Sequence, residues 1–365
     1  MTIKTIFVIL PHLGGGGAER STLNLINSWS KLDYNVYLIL LKKEGELLKF
    51  VDKKINIIDL NCRRISSSLI PSYKLLKKYK PDIILTLMWP LTTVIFFSWI
   101  LSFKIGKLVL ADHNPFNKKW FSEFNINKPL FYISYNISYL LCSAIICVSK
   151  NVKQEIEKIL FFKKKYIFSI NNAVKQLSND YNIPELKKKL YGNANFCFLS
   201  VGRLKKSRDV INLLKAFKKF KFLKQSKLII LGVGPEERNL KDYVRNNKLD
   251  DNVDFRGFVE NTYPFYVSAD LYIHTSLYDA LPLTIIEALI CNTPILSTDC
   301  EYGPSEILEG GKHGLLVPVN DTKELLEGIY KSLNTKINYE KRNNAKQQFD
   351  INIISKKYIE IFNLI

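Results

Sequence analysis

The stretch SLYDALPLTIIEA, residues 276–288, joins a predicted strand to a predicted helix and carries two acids. The apolar run from Ala269 to Thr275 precedes it and indicates a buried parallel strand, and an apolar helix begins near Leu283. Asp279 therefore falls in the loop, and Glu287 lies about one turn into the helix. Open α/β sheets bind ligands at the carboxyl ends of their strands, where carboxylates can bind sugar hydroxyls and free helix N–H groups can bind an anion. The alternative for Glu287 is a solvated acid favoured by the helix dipole.

The two acids have seven residues between them, with Pro282 inside the interval and Ala288 directly after Glu287. This pattern resembles the E-x7-E signature of the retaining GT-B glycosyltransferases of family 4. The resemblance implies that Glu287 binds the ribose of a nucleotide and that Asp279, in place of the usual glutamate, contacts the donor sugar. Donor-binding positions are also expected where the loop enters the helix: Pro282, Leu283 and Thr284.

Length and composition fit a globular protein of two domains, with 365 residues, 47% hydrophobic and 24% charged. The net charge of +19 is uneven, because residues 1–180 contain 26 Lys and Arg against 12 Asp and Glu. A basic half can attract nucleic acid, anionic lipid or phosphorylated substrates, or it can simply carry solvated lysines. No helix-turn-helix or RNA-binding signature is visible, so we expect an anionic membrane surface and no nucleic acid as a partner.

Six cysteines without a C-x-x-C pair predict buried, reduced thiols of a cytosolic protein. The N-terminus leads straight into a strand, so no signal peptide is expected. Of two apolar stretches, 91–103 is too short to span a bilayer, and 130–148 is interrupted by serines and an asparagine. We interpret the second as a helix followed by a strand. The expected location is cytoplasmic, peripheral on the inner face of the plasma membrane.

In the first half, the apolar strand Ile3–Leu10 leads into a run of four glycines at 14–17 and then a helix. Glycines let a ligand approach the backbone, and a helix N-terminus favours an anion. A dinucleotide fingerprint is disfavoured, because the glycine spacing differs and the second strand ends in Lys42-Lys43 where an NAD enzyme needs an acid. The G-G-x-E-R form resembles the first loop of the same glycosyltransferase family, although a tight turn is the alternative. The resemblance implies contacts with the donor phosphates at three positions: Gly15, Gly16 and Gly17.

After the predicted strand Lys107–Ala111 comes His113, in a loop that ends in proline. A lone histidine is more often structural, but this one stands at the carboxyl end of a strand, where ligands bind. The resemblance places it on the family's histidine that contacts the donor sugar, and Asp112 and Asn114 could orient its ring. The basic and aromatic segment Lys118–Lys128 follows, and it suits either contact with anionic lipid or ordinary loop packing.

A second series of strand–helix units begins after the polar linker 176–195. Its first strand ends at Arg203, five residues before Arg208. Guanidinium groups bind phosphate oxygens with paired hydrogen bonds and stay charged at any working pH. The family pattern is Gly-Arg followed five residues on by lysine, which implies diphosphate binding by Arg203 and by Arg208, or by Lys206 in place of the latter. Gly234 follows the next strand, in a glycine turn that the family places near the nucleotide base.

Repeated strand–helix units and the resemblance together indicate the fold class: α/β, with two Rossmann-like domains (GT-B) and an inter-domain cleft. The predicted N-terminal, acceptor-side domain spans 1–175 and the linker 176–195. The predicted nucleotide-sugar-binding domain spans 196–345. Residues 346–365 are expected to form a helix that crosses back onto the first domain.

The resemblance implies a retaining glycosyltransferase that moves a hexose or an N-acetylhexosamine from a nucleotide-diphosphate sugar, UDP more than GDP. The implied acceptor is a glycan or a polyprenyl-diphosphate-linked glycan in surface polysaccharide assembly, such as lipopolysaccharide. No D-x-D motif lies near the site and arginines would replace a metal, so neither a metal nor a cofactor is expected beside the nucleotide sugar. The alternatives are another GT-B enzyme, a phosphorylase or a sugar-nucleotide epimerase, or a non-catalytic basic module that binds membrane or nucleic acid.

Overall fold

The computed structural model describes residues 5–32, 34–114, 116, 121–122, 126–174, 181–334 and 339–365. The chain divides into two compact units. The first unit consists of Met1–Lys175 with Gln348–Ile365, and the second of Gln176–Gln347. Part of the segment Lys118–Lys128, expected to meet lipid or to pack as a loop, lies outside the described residues.

The first unit is built on a seven-stranded parallel sheet in the order β3-β2-β1-β4-β5-β6-β7. Its central strands are buried on both faces, as parallel sheets covered by helices require. The strands are β1 Thr5–Leu10, β2 Asn35–Leu40, β3 Asn56–Asp59, β4 Ile83–Leu87, β5 Lys107–Asp112, β6 Ala144–Cys147 and β7 Ile167–Ser169.

Helices connect these strands, and the last helix of the chain also belongs to this unit. They are α1 Gly17–Trp29, α2 Leu69–Tyr79, α3 Leu91–Leu101, α4 Lys128–Leu141, α5 Lys150–Ile159 and α14 Ile351–Leu364. Helix α14 packs on α1, where the buried ring of Trp29 lies 5.7 Å from that of Tyr358 and 5.5 Å from that of Phe362.

The second unit has a six-stranded parallel sheet in the order β10-β9-β8-β11-β13-β15, and a separate pair of two-residue strands, β12 and β14. The main strands are β8 Phe196–Val201, β9 Ser226–Leu231, β10 Val253–Gly257, β11 Leu271–His274, β13 Ile295–Thr298 and β15 Leu315–Val317. The short pair is β12 Tyr278–Asp279 and β14 Glu301–Tyr302.

Eight helices of the second unit lie within its described residues. They are α6 Ile183–Tyr191, α7 Val210–Lys218, α8 Glu237–Asn246, α9 Tyr263–Ser268, α10 Leu283–Ile290, α11 Gly303–Ile307, α12 Thr322–Asn334 and α13 Tyr339–Gln347.

Both sheets are doubly wound, and the predicted fold class of two Rossmann-like α/β domains is confirmed. The strand order reverses between β1 and β4 in the first unit and between β8 and β11 in the second. The loops that follow two such neighbouring strands diverge and leave a crevice, where α/β proteins bind ligands. The loop that carries the two arginines and the loop that carries Asp279 follow β8 and β11, respectively, so the topology brings them together.

The stretch 130–148 forms all but the first two residues of helix α4 and then strand β6, as predicted. Among the described helices, none combines the length and the apolar composition that crossing a membrane requires. All six cysteines are free thiols, and five of them are buried, while Cys291 is half-buried.

Candidate functional site

The loops after β8 and β9 are held so close together that only glycine fits at two positions of the second loop. A Cβ atom on Gly232 would lie 2.0 Å from the carbonyl oxygen of Gly202, and one on Gly234 would lie 2.2 Å from that of Leu204. Hydrogen bonds from Leu204 N to Val233 O and from Glu236 N to Leu204 O fix the approach. Gly234, predicted as a donor-binding residue, therefore has a packing role that the structure shows directly.

Arg208 follows β8 and lines a recess of the second unit. Its Nη1 donates to Ser276 Oγ at 2.9 Å and to Asp279 Oδ2 at 2.5 Å. Burial alone would lower the pKa of the guanidinium, but the Asp279 carboxylate outweighs it, and the pKa lies above its ordinary value. The two residues predicted to bind diphosphate and sugar separately thus form one ion pair, and Arg208 is charged at every working pH.

Asp279 is held by backbone pairing as well as by the arginine. It lies in β12, where Tyr278 and Asp279 pair with Glu301 and Tyr302, and not in the irregular loop that the sequence predicted. The loop after it is closely packed, because a Cβ atom on Gly303 would lie 2.8 Å from the carbonyl oxygen of Ala280. The carboxylate is therefore presented by a fixed backbone.

His274 is a residue of this site that the sequence analysis missed. It ends β11, it is 2% exposed, and its Nε2 lies 3.7 Å from Asp279 Oδ2. Its Nδ1 lies 3.2 Å from the hydroxyl of Tyr272. Burial, followed by the charge of Arg208, lowers the pKa of His274 to about 3, so the ring is neutral at physiological pH. The only signal in the sequence was a histidine inside a strand of otherwise apolar residues, which looks like a core position.

Arg203 and Lys206 differ from Arg208 in exposure. Both lie on the same loop with exposed side chains, whereas the side chain of Arg208 is 22% exposed. Arg208 and His274 line a recess together with Gly202 and Thr275. Of the cations predicted to bind phosphate, Arg208 is the one built into this recess, and Arg203 stands exposed on the loop that enters it.

Glu287 lies on α10 and is buried at 5% exposure. The alternative of a solvated helix acid is therefore wrong, because a carboxylate is rarely placed in the interior without a specific function or partner. Burial raises the pKa of Tyr266 well above its ordinary value, and the neighbouring Glu287 raises it further. At the start of the same helix, Pro282 and Leu283 are buried and Thr284 is half-buried.

The glycine run of the first unit precedes α1, which begins at Gly17 with Gly16 in an extended conformation. None of the four glycines has a positive φ angle, so the backbone conformation does not itself require glycine. A Cβ atom on Gly16 would meet only the flexible end of Glu19, at 2.2 Å. These observations argue against the tight-turn alternative, and contact of Gly15, Gly16 and Gly17 with a donor stays a prediction.

His113 follows β5, and both of its ring nitrogens are buried without a hydrogen-bond partner among the described residues. Burial lowers the pKa of His113 to about 4, so it is neutral at pH 7. The expectation that Asp112 and Asn114 orient its ring is therefore wrong. Oδ2 of Asp112 instead accepts hydrogen bonds from Tyr135 and Tyr139 of α4, at 2.7 and 2.5 Å.

Asp112, Tyr135 and Tyr139 form a buried cluster that the sequence analysis also missed. The two tyrosine rings stack with their centres 3.8 Å apart. Burial raises the pKa of Asp112 to about 6, although the two hydroxyl donors act in the opposite direction. The cluster fixes the end of β5 against α4, directly before His113.

Two family models match the chain: Glycosyltransferase Family 4 over residues 15–175 and Glycosyl transferases group 1 over residues 182–349. An uncharacterized glycosyltransferase of Haemophilus influenzae is 27% identical over 335 residues, which cover 90% of each chain. The N-acetylgalactosamine-N,N'-diacetylbacillosaminyl-diphospho-undecaprenol 4-alpha-N-acetylgalactosaminyltransferase of Campylobacter jejuni is 29% identical over 131 residues, 36% of this chain and 35% of that protein. The crystal structure of Anabaena HepE in complex with UDP and glucose is similar in fold, with a TM-score of 0.84 at 17% identity, and the match covers 99% of this chain and 100% of that one.

Proposed function

The chain belongs to the group 1 glycosyltransferases with the GT-B fold, and on that premise we propose that it transfers a hexose or an N-acetylhexosamine from a nucleotide-diphosphate sugar with retention of configuration. The proposed acceptor is a glycan or a polyprenyl-diphosphate-linked glycan in the assembly of a surface polysaccharide. The observation that carries the proposal is the Arg208–Asp279 ion pair in the crevice, with the buried Glu287 on the adjoining helix α10.

We assign the ribose of the donor to Glu287. A carboxylate offers two acceptor oxygens to two neighbouring hydroxyls, and its position on a helix fixes the direction of approach. UDP is the proposed nucleotide, since HepE was crystallised with UDP and glucose. The start of α10, at Pro282, Leu283 and Thr284, and the glycine turn at Gly234 are the proposed neighbours of the donor.

The diphosphate is assigned to Arg208 and Arg203. Both hydrogen bonds that the side chain of Arg208 makes to described residues use Nη1, which leaves the other N–H groups of the guanidinium for phosphate oxygens. A guanidinium can thus hold the Asp279 carboxylate and the leaving phosphate together. Charge that grows on the phosphate in the transition state is stabilised by fixed cations, and we therefore propose a reaction independent of metal.

Retention is proposed to proceed by attack on the same face as the departing phosphate, which accepts the acceptor's proton. Asp279 is the acid that pairs with Arg208 among the described residues, and its charge is already engaged by that arginine. This makes it a weak nucleophile and suits it to a hydrogen bond with a sugar hydroxyl. His113 is proposed to contact the donor sugar as a neutral imidazole, which its lowered pKa ensures.

The acceptor is assigned to the basic first unit. The Campylobacter jejuni relative is named for an acceptor on diphospho-undecaprenol, a lipid diphosphate. A positively charged surface favours both the diphosphate and the anionic leaflet in which such a lipid lies. We therefore propose a cytoplasmic protein that binds the inner face of the plasma membrane.

A transfer assay with a panel of UDP and GDP sugars in EDTA tests the proposal. Lipid-linked and free glycan acceptors are supplied, and the anomeric configuration of the new glycosidic bond is determined by NMR. Transfer from one UDP sugar in EDTA, with the configuration of the donor retained, is the expected result. An inverted product or full dependence on a divalent metal contradicts the mechanism, and turnover without any acceptor contradicts the transferase assignment.

A further inference from the structure

Helix α4 exposes a row of large aliphatic side chains. Between 45% and 60% of each is exposed, although α4 belongs to the body of the first unit. At 100° per residue, the five positions fall within an arc of about 100° on one side of the helix. We call this row the α4 apolar face; it consists of Leu130, Ile133, Ile137, Leu140 and Leu141.

The α4 apolar face is not the side of the helix that the core uses. The opposite side carries Phe131, Tyr135 and Tyr139, which are fully buried and contact Asp112 and the aromatic residues around it. A helix that is apolar on both sides is typical of a buried or a membrane-contacting position, and not of a surface helix in water. The α4 apolar face therefore requires a partner.

The apolar surface continues onto α3. Trp89 Nε1 donates to Ser134 Oγ at 3.0 Å, and four residues further on Thr93 Oγ1 lies 3.4 Å from Ser138 Oγ. The two helices therefore run side by side in the same direction. Helix α3 adds two exposed side chains, Phe97 and Leu101, and Phe103 follows the end of the helix at 85% exposure.

Lysines surround this surface. Lys164 donates to the carbonyls of Leu140 and Cys142 at the C-terminal end of α4, and its neighbours Lys163 and Lys165 are exposed. At the N-terminal end, the exposed Lys128 begins the helix. The exposed Lys104 follows α3 and therefore lies toward the C-terminal end of α4, since the two helices run in the same direction. Acids are scarce in the part of the sequence that forms this surface. Residues 83–154 include two acids, of which Asp112 is buried and Glu123 lies outside the described part of the chain.

We propose that the α4 apolar face, with the exposed side chains of α3, is the surface by which this protein lies on an anionic phospholipid bilayer. Helix α4 would lie in the plane of the membrane, with its aliphatic side chains at the headgroup–acyl boundary and the lysines among the headgroups. With 14 residues it is too short to span a bilayer. The inference rests on the proposed function in that the membrane-borne acceptor gives the surface its purpose.

Charge decides between a bilayer and a second copy of the chain as the occupant. A two-fold contact through this face would bring the same lysines of two copies together, and like charges oppose such a contact. Anionic lipid headgroups complement the lysines instead. The proposal therefore commits to lipid.

Vesicle co-sedimentation of the full chain tests the proposal, with vesicles of phosphatidylglycerol and phosphatidylethanolamine compared with vesicles of phosphatidylcholine alone. Ile133→Glu/Ile137→Glu places two acids on the α4 apolar face without touching the core. We expect the partition coefficient on the anionic vesicles to fall at least about tenfold. The matched control Leu32→Glu/Ile353→Glu changes two exposed apolar residues elsewhere on the same unit and should bind like the wild type. The wild type should bind the anionic vesicles at least about tenfold better than the neutral ones.

The proposal would be overturned if the wild type did not bind anionic vesicles, or if Ile133→Glu/Ile137→Glu bound them as well as the wild type does. It would also be overturned if light scattering showed a wild-type dimer that the same double substitution converts to monomers. UDP binding is measured on the same preparations. Lost vesicle binding with intact UDP binding counts against the surface alone. Vesicle binding without any nucleotide binding counts against the proposed function and not against the surface.

Discussion

Arg208 shows that the predicted ligand-binding residues do not act independently of one another, because it is bonded to Asp279. It binds Asp279 and Ser276 through one nitrogen and lines the recess beside His274. A lysine has a single nitrogen and could not hold the carboxylate and a diphosphate with the same geometry. Arg208, where the family pattern has lysine, fits Asp279, where that pattern has glutamate, because the longer, forked cation reaches the shorter acid.

Replacing Arg208 tests this role. Arg208→Ala should lower kcat about 10²–10³-fold, the cost of removing one fixed charge from a developing anion. Lys206→Ala, on the same turn but exposed, is the matched control and should change kcat less than about threefold. Steady-state kinetics with the donor found in the transfer assay provide the measurement. If the Lys206 variant lost more activity than the Arg208 variant, the phosphate role would belong to Lys206.

Asp112 predicts a pH dependence of stability whose sign can be worked out. Its pKa is raised from 3.8 to about 6, so the folded protein binds more protons than the unfolded chain between these values. Its contribution therefore becomes less favourable as the pH rises from about 4 to 6. His113 and His274, whose pKa values are lowered, act in the opposite direction. A comparison of the wild type with Asp112→Asn cancels those two histidines.

As the pH rises from 4 to 7, the free energy of unfolding of the wild type should therefore fall by about 2–3 kcal/mol relative to that of Asp112→Asn. Urea unfolding at a series of pH values provides the measurement. A difference between the two proteins that does not change with pH would show that Asp112 titrates normally.

Among the structural elements, the glycine-rich loops after β1 and after β9 contain glycine for different physical reasons. In the loop after β1, glycine is not required by the backbone, and a side chain at Gly16 would displace only the end of Glu19. In the loop after β9, a side chain at Gly234 would strike the backbone of Leu204. Packing therefore explains the glycine of the second loop and does not explain that of the first.

Alanine substitutions at Gly16 and Gly234 should show whether each glycine is needed for donor binding or for packing. Gly16→Ala should leave the free energy of unfolding within about 1 kcal/mol and raise KM for the donor at least about fivefold. Gly234→Ala should cost at least about 2 kcal/mol of stability, because backbone must move. Thermal unfolding and donor KM are measured for both variants. A Gly16 variant with unchanged KM would remove the donor role from this loop.

The sequence predicted helices and strands well where a continuous run of residues is buried, and poorly where the element is too short to show such a run. The apolar run Ala269–Thr275 predicted β11. Leu283 was correctly placed at the start of α10, because Pro282 directly precedes it and marks the boundary. The two-residue strands β12 and β14 have no periodicity to detect, so Asp279 was placed in an open loop. The pairing of Arg208 with Asp279 was not predictable from either motif alone, since it depends on β8 and β11 being neighbours.

Residues that resemble core positions were missed for a related reason. His274 ends an apolar strand, and Tyr135 and Tyr139 lie on a helix with many apolar residues. Composition cannot distinguish an aromatic ring that fills space from one whose hydroxyl donates to a buried acid. Only the tertiary contact with Asp112 makes that distinction.

At the scale of the whole molecule, the last helix returns the C-terminus of the chain to the first unit. Residues 348–365 belong to that unit, and Tyr358 and Phe362 of α14 cover Trp29 of α1. Phe362→Ala should therefore destabilise the first unit by about 3 kcal/mol, the cost of removing a buried ring. Ile353→Ala, which changes an exposed residue of the same helix, is the control and should cost less than about 1 kcal/mol. Urea unfolding followed by tryptophan fluorescence checks both values, and equal effects of the two substitutions would contradict the packing of α14 on α1.

We propose that the second unit binds a nucleotide-diphosphate sugar through Glu287, which contacts the ribose. Isothermal titration of UDP in EDTA, with the wild type, Glu287→Gln and the exposed control Glu327→Gln, tests it most directly. We predict that the wild type and Glu327→Gln bind UDP alike and that Glu287→Gln binds at least about tenfold more weakly, since a charged acceptor is lost without a change in shape. Equal binding by all three proteins would contradict the ribose assignment, and no binding of UDP or GDP by the wild type would contradict the donor site as a whole.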